Sequence, residues 1–185
     1  MATEPVKITD LATGPAEVSG ETLAAPTNPR TKTPEQALQR LMALCAKAEK
    51  SSGDAMRLMR GWGIAPPERE RVLEKLVAQR FIDDARYASA FVREKTRLNG
   101  WGAYKIRAAL AAKGVDRATI EQALGEIDPH TAQERLERQL RAKYAKFANL
   151  DLAPYELRGK LVRYGASLGY DYETVIDQVE KLVRE

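Results

Sequence analysis

Residues 106–124 read IRAALAAKGVDRATIEQAL, and this stretch decides the fold class. Its apolar residues recur at helical spacing on both sides of the pair Gly114-Val115. Gly114 suits the left-handed conformation that ends a helix, and Asp116 follows where the next helix needs an N-cap. Val115 then lies where it packs on Ile120, four positions inside that helix. The stretch therefore predicts two helices joined by a tight turn.

The same pattern recurs on both sides of this stretch. A shift of 55 residues, from Gly114 to Gly169, gives LVRYGASLGYDYETVIDQV, which matches without a gap although Gly165 replaces Leu110. A shift of 51 residues in the other direction reaches Gly63, beyond which three extra residues are needed for alignment. Self-similarity at such a period is typical of stacked helical repeats. A single compact globule of nine helices is the structural alternative.

Apolar residues keep helical spacing from Thr33 almost to the end of the chain, and no segment alternates with the period of a strand. The sequence therefore predicts an all-α fold, with three tandem three-helix repeats forming an elongated, curved array. The expected repeats are residues 33–80, 81–127 and 128–185. Residues 1–32 are rich in Pro, Thr, Ala and Gly and hold no aromatic residue, which predicts a disordered tail. The expected helices are 34–48, 53–61, 67–79, 84–98, 103–113, 117–126, 130–148, 154–167 and 172–184.

Composition argues against an enzyme. Cys45 and His130 are the only residues of their types, which leaves no set for a zinc site, an internal disulfide or a His-dependent nucleophile. The paired Asp83 and Asp84 stand where a helix begins, so we interpret them as capping residues. We expect no catalytic residue, cofactor or metal. No export signal or membrane span is predicted, which favours a location in the cytoplasm. We expect a monomer.

Charge suggests where a partner binds. The formal net charge is +4, yet residues 86–113 hold seven basic side chains against the single acid Glu94. A block of one sign is typical of a surface that meets an anionic partner, although a solvated face remains an alternative. The helix over 84–98 divides into an apolar stripe of Tyr87, Phe91 and Leu98, predicted as core, and an arginine stripe. The candidate binding residues are Arg86, Arg93, Lys95, Arg97, Lys105, Arg107 and Lys113, with a weaker group of Arg135, Arg138 and Lys146 on the helix over 130–148.

Three motifs resemble the RecX family of bacterial recombination regulators: Phe81-Ile82-Asp83-Asp84-Ala85-Arg86-Tyr87-Ala88, then Gly100-Trp101-Gly102 with Lys105-Ile106-Arg107, and Leu110-x-x-Lys113-Gly114-Val115. The resemblance covers Pro34 to Leu182 and is strongest from Phe81 to Leu124. It implies the same three tandem units and a regulator, usually an inhibitor, that lies in the groove of the RecA filament on single-stranded DNA. Direct contact with DNA phosphate stays open, and the alternatives are a general nucleic-acid-binding protein and a helical scaffold for another protein. Residues 51–57, SSGDAMR, depart from the family pattern of the first unit.

Overall fold

The computed structural model describes residues 31–147, 150 and 152–184, and the predicted disordered tail lies outside this range except for Thr31 and Lys32. The described residues form helices and turns and contain no strand, so the predicted all-α fold is confirmed. The helices are α1 Pro34–Cys45, α2 Ser52–Gly61, α3 Pro66–Ala78, α4 Asp84–Asn99, α5 Ala103–Ala112, α6 Arg117–Leu124, α7 Pro129–Phe147, α8 Pro154–Ser167 and α9 Tyr172–Arg184.

The turn between α5 and α6 has the predicted geometry. Gly114 has a φ of 76°, and the N–H of Val115 donates to the carbonyl of Leu110 at 3.2 Å. The carboxylate of Asp116 accepts the N–H of Thr119 at 3.0 Å, which satisfies one of the free donors at the start of α6. Gly63 and Gly169 also have positive φ values, so the same turn recurs in each unit.

Each set of three helices encloses its own core. The first core is centred on Leu41, Met59 and Leu76, the second on Ile106 and Leu110, and the third on Leu136, Leu140 and Leu161. These side chains are at most 1% exposed. Ile82 packs in the first core, which favours a division after Ile82 rather than after Arg80. Three successive cores follow from helix triplets that each bury one apolar face.

Two sequence-level puzzles are resolved by packing. Gly165, which stands where the second unit has Leu110, is buried, and a Cβ on it would lie 2.6 Å from Cγ1 of Val175. Val175 therefore packs directly against Gly165 and leaves no room for a leucine at this position. The prediction that Leu98 belongs to the core is wrong, because its side chain is 72% exposed. The buried line of α4 runs instead through smaller residues at i, i+4 and i+8: Ala88, Val92 and Thr96.

The units meet end to end through their middle helices, α2, α5 and α8. At the first joint the N-terminus of α2 lies on the C-terminus of α5, where a Cβ on Gly53 would be 2.2 Å from the carbonyl oxygen of Lys113. At the second joint the N-terminus of α5 lies on the C-terminus of α8. There a Cβ on Gly102 would be 2.3 Å from the carbonyl oxygen of Gly169. Both approaches therefore require glycine, a role that turn propensity alone does not suggest.

The last carbonyls of α5 and α8 accept hydrogen bonds across the joints. At the first joint the hydroxyl of Ser51 donates to the carbonyl of Lys113 at 2.7 Å. At the second joint the N–H groups of Gly102 and Tyr104 donate to the carbonyls of Leu168 and Gly169 at 2.8 and 3.0 Å. Carbonyls that end a helix otherwise lack partners, so each joint satisfies them with donors from the neighbouring unit. In the first unit the corresponding carbonyl, that of Trp62, accepts the N–H of Lys32 at 3.1 Å.

Candidate partner-binding surface

Two of the predicted basic residues connect the first two units. The guanidinium of Arg86 donates to both carboxylate oxygens of Glu49, at 2.8 and 3.0 Å, and this hydrogen bonding raises the pKa of Arg86 further above its ordinary value. The ammonium of Lys113 lies 3.1 Å from the carboxylate of Asp54 on α2. Both acids are distant in sequence, so the charge pattern of residues 86–113 gave no sign of them. Arg86 and Lys113 consequently stabilise the first joint.

Three more of the predicted basic residues have acidic partners within the second unit. Arg107 on α5 donates to both carboxylate oxygens of Glu121 on α6, and this arginine holds the pKa of Glu121 below its ordinary value. The pairs Arg93–Glu126 and Lys95–Glu94 have N–O distances of 3.8 and 2.7 Å. The block that reads as one sign in sequence is therefore largely compensated in three dimensions.

Lysines and aromatic rings share the surface beside the second joint. The Nζ of Lys105 lies 4.7 Å from the ring centroid of Trp101, and that of Lys95 lies 5.6 Å from it. Phe91 meets the Trp101 ring edge to face at 6.4 Å. Lys105 also donates to the carbonyl of Ser167 at 3.0 Å, across the joint. This arrangement orients Trp101 and ties α5 to α8, and it leaves the lysine charges near the surface.

Three arginines meet in a cleft between the C-terminal end of α4 and the first half of α7. The arginine cleft is formed by Arg97, Arg135 and Arg138, and it has a volume of about 260 Å³. Arg97 and Arg138 are exposed, and Arg135 is partly buried. Gln139 closes one side, where its amide donates to the carbonyl of Gly100 at 3.0 Å. No acidic partner of these three arginines is found in the part of the chain that the structure describes.

The arginine cleft joins residues that the sequence analysis assigned to separate groups. Arg97 belongs to the predicted block of the second unit, while Arg135 and Arg138 belong to the weaker group of the third unit. Lys146 is exposed near the end of α7 and lines neither this cleft nor the space adjoining it. On α7 the apolar side chains Leu136 and Leu140 are buried, while Arg138 is exposed.

Asp84 has a role that no local sequence pattern indicates. Asp83 caps its own helix, as expected, by accepting the N–H of Arg86 at 2.9 Å. Asp84 accepts instead the N–H of Ser52 at 2.8 Å, so it caps α2 of the first unit from α4 of the second. The motif Asp83-Asp84 therefore joins two units as well as starting a helix. The two partners are 32 residues apart in the sequence, so a local pattern does not predict this contact.

The described residues contain neither a candidate metal site nor a candidate membrane span. No group of three or more His, Cys, Asp or Glu side chains stands there as metal ligands would. None of the helices in the same residues combines the length and the apolar character that a membrane crossing requires.

Comparison with known proteins assigns the chain to a class of regulatory proteins built from three-helix domains. The family model described as the second three-helix domain of RecX matches residues 83–124. The regulatory protein RecX of Pseudomonas savastanoi pv. phaseolicola is 30% identical over 132 residues, which cover 71% of this chain and 84% of that relative. The regulatory protein RecX of Clostridium botulinum strain Eklund 17B is 29% identical over 137 residues. That match covers 74% of this chain and 62% of the clostridial relative, so the chain spans about three fifths of that protein's length.

Two solved structures have the same fold as this chain. The crystal structure of RecX from Lactobacillus salivarius superposes with a TM-score of 0.71 at 16% identity, over 82% of this chain and 96% of that one. A second crystal structure of a regulatory protein RecX gives the same TM-score at 20% identity, over 80% and 71% of the two chains. The chain belongs to the RecX family.

Proposed function

We propose that this protein binds the filament of the RecA recombinase and lowers its ATPase and strand-exchange activity. The observation that carries this proposal is the arginine cleft. Most other cations of the predicted block already have a carboxylate partner, whereas Arg97, Arg135 and Arg138 lie together without one in the described residues. Like charges held close together favour an anionic partner, and guanidinium groups suit carboxylates and phosphates through paired hydrogen bonds.

The position of the cleft supports a filament as the partner. The cleft spans the second and third units, so a ligand there contacts two units at once. An array of similar units engages a repeating partner at several points, and each contact raises the effective concentration for the next. A protein bound in this way across successive filament subunits resists the conformational changes that ATP turnover and strand pairing require. The proposed mechanism needs no cofactor and no catalytic residue.

A second candidate function is general binding of nucleic acid, and the same cleft favours it. Three arginines form a suitable site for backbone phosphate. Among the described residues, no motif for contacting base edges accompanies them. The two candidates differ in their dependence on salt and on RecA. Binding to naked DNA through about three phosphate contacts predicts an affinity that falls with salt with a log–log slope of about −2 to −3.

The test is RecA ATP hydrolysis on single-stranded DNA, measured as the protein is titrated in. The variant Arg97→Ala/Arg135→Ala/Arg138→Ala should need at least about tenfold more protein for half-inhibition, because three charge-assisted contacts are lost. A matched control removes three exposed arginines of the first unit that lie outside the cleft, Arg40, Arg60 and Arg71, and should stay within about twofold of the parent.

Three outcomes decide between the candidates. No effect of the parent protein on RecA at saturation contradicts the proposal. Equal loss in the cleft variant and in the control shows that net charge, and not the cleft, is responsible. Binding to naked DNA that accounts for all of the inhibition, measured at several salt concentrations, favours the second candidate.

A further inference from the structure

The second and third units differ on the surface between their last two helices. In the second unit Arg107 on α5 pairs with Glu121 on α6, and its guanidinium lies 5.5 Å from the ring of Tyr104. The shift of 55 residues that relates the units places Val162 on α8 and Ile176 on α9 at the positions of this ion pair. An exposed ion pair has thus been replaced by two β-branched apolar side chains.

This replacement leaves an apolar groove in the third unit, with a volume of about 670 Å³. One wall is a stripe of α8 at helical spacing, formed by Tyr155, Gly159, Val162 and Ala166, and the other is formed chiefly by residues of α9. Gly159 keeps the groove open, since a Cβ there would meet no atom within 4 Å. The two tyrosines at its edge, Tyr155 and Tyr172, are 76% and 60% exposed. An exposed apolar surface of this kind, bordered by polar groups, is typical of a protein-binding site.

Charge indicates the chemistry of the occupant. Both charged side chains that line the groove are arginines, Arg158 and Arg163. Arg158 donates to Glu180, and Arg163 has no acidic partner in the described part of the chain. The same shift of 55 residues relates them to Ala103 and Ala108 of the second unit, so both cations accompany the apolar replacement. With Arg158 paired to Glu180, Arg163 supplies the uncompensated positive charge at the rim of the apolar groove, and this combination complements an apolar segment flanked by Asp or Glu.

The shape of the groove suits a helix. The wall from Tyr155 to Ala166 covers eleven residue steps, which correspond to roughly 16 Å or three helical turns. An amphipathic helix of about that length places side chains at i, i+4, i+7 and i+11 along one line, matching the spacing of the wall itself. We propose that the groove between α8 and α9 binds an acidic amphipathic helix of a partner protein. This site is separate from the arginine cleft and does not depend on the proposed action on RecA.

Peptide binding to the full chain tests the proposal. The probe is a fluorescein-labelled helical peptide of about 15 residues, with leucine at i, i+4, i+7 and i+11 and glutamate on the flanks, followed by fluorescence anisotropy. We expect a Kd of about 10 to 100 µM, since a short helix buries a small interface. Two control peptides are a scrambled sequence of the same composition and a version with lysine in place of glutamate, and both should bind at least about tenfold more weakly.

The chain itself offers the matched variant. Val162→Arg/Ile176→Glu copies the ion pair of the second unit into the third, so it should fold, as circular dichroism can verify, and it should weaken binding of the acidic peptide at least about tenfold. The arginine cleft variant Arg97→Ala/Arg135→Ala/Arg138→Ala should bind the peptide as the parent does, which separates this test from that of the proposed function.

Four results would overturn the proposal. They are the absence of binding by the acidic peptide, equal binding of the scrambled or the lysine peptide, and unchanged binding by a folded Val162→Arg/Ile176→Glu variant. The fourth is a concentration-dependent dimer in analytical ultracentrifugation that this variant abolishes, because the groove would then receive a second copy of the chain.

Discussion

Both joints bring the start of one middle helix against the end of another at a glycine, but they differ in the chemistry that holds them. At the first joint ion pairs and carboxylates connect the units: Arg86 with Glu49, Lys113 with Asp54, and Asp84 with the N–H of Ser52. At the second joint the contacts are neutral or made to the backbone, as in the pairs Gly102–Leu168 and Gln139–Gly100. The comparison teaches that the close approach of two middle helices is common to both joints, while the side chains that support it differ from one joint to the other.

Substitution of the glycines at the two joints should have the largest effect on the free energy of unfolding. Gly102→Ala places a Cβ 2.3 Å from the carbonyl oxygen of Gly169, so the units must separate or the backbone must shift. We expect a loss of about 2 to 3 kcal/mol in the free energy of unfolding, measured by urea denaturation. Gly53→Ala should cost as much at the first joint, where the corresponding distance is 2.2 Å.

Gly159→Ala is the control for this pair of variants. Gly159 lies inside α8 and has open space around its Cα, so alanine should raise the free energy of unfolding by about 0.5 to 1 kcal/mol. If all three alanines have similar effects, helix propensity and not the joint is being measured. If Gly53 tolerates alanine and Gly102 does not, the two joints differ in backbone geometry as well as in side chains.

A smaller loss is expected from the hydroxyl that serves the first joint alone. Ser51 is fully buried, and its Oγ both accepts the N–H of Asp54 at 3.1 Å and donates to the carbonyl of Lys113. Ser51→Ala removes a helix cap and a contact between units, so the free energy of unfolding should fall by about 1 to 2 kcal/mol. Ser51→Thr retains the hydroxyl and should recover part of the loss. A thermal unfolding midpoint equal to that of the parent would contradict this assignment.

A change in salt concentration should have the smallest effect on the joints. The ion pairs of the first joint are partly exposed, and each of them contributes roughly 0.5 kcal/mol or less at high ionic strength. Hydrogen exchange can be followed by NMR at 0.05 and 1 M NaCl. The Ser52 amide, whose acceptor is Asp84, should exchange about two- to threefold faster at 1 M than at 0.05 M. The Tyr104 amide, whose acceptor is a carbonyl, should be unaffected. Equal acceleration at both amides would mean that the joints do not differ electrostatically.

Local signals predicted the helices well. The pairing of glycine with a following cap residue identified the α5–α6 and α8–α9 turns, and the buried positions Ile106, Leu110 and Val175 follow from periodicity. These features depend on residues a few positions apart. The angle of Leu98 on α4 matches that of Tyr87 and Phe91 and so predicts a core position, but the core is centred on the smaller residues beside them.

The candidate site was harder to predict because it depends on distant residues. Arg86 and Glu49 are 37 positions apart, and Lys113 and Asp54 are 59 apart, so a count of charges along the chain misses their mutual neutralisation. Arg97 meets Arg135 and Arg138 because the C-terminal end of α4 and the first half of α7 line the same cleft, which depends on the packing of the second unit against the third. All three arginines of the cleft are among the ten predicted basic residues, but the sequence alone does not show that they lie together.

The head-to-tail contact of the middle helices also gives the array a direction. Each contact joins the N-terminus of one helix to the C-terminus of the next, so the helices run from α8 through α5 to α2, opposite to the order of the chain. Contacts of this heterologous type relate unlike surfaces and have no twofold axis. Reversing the array would therefore present different groups at every position. A partner that also has a direction would therefore bind to such an array in one relative orientation only.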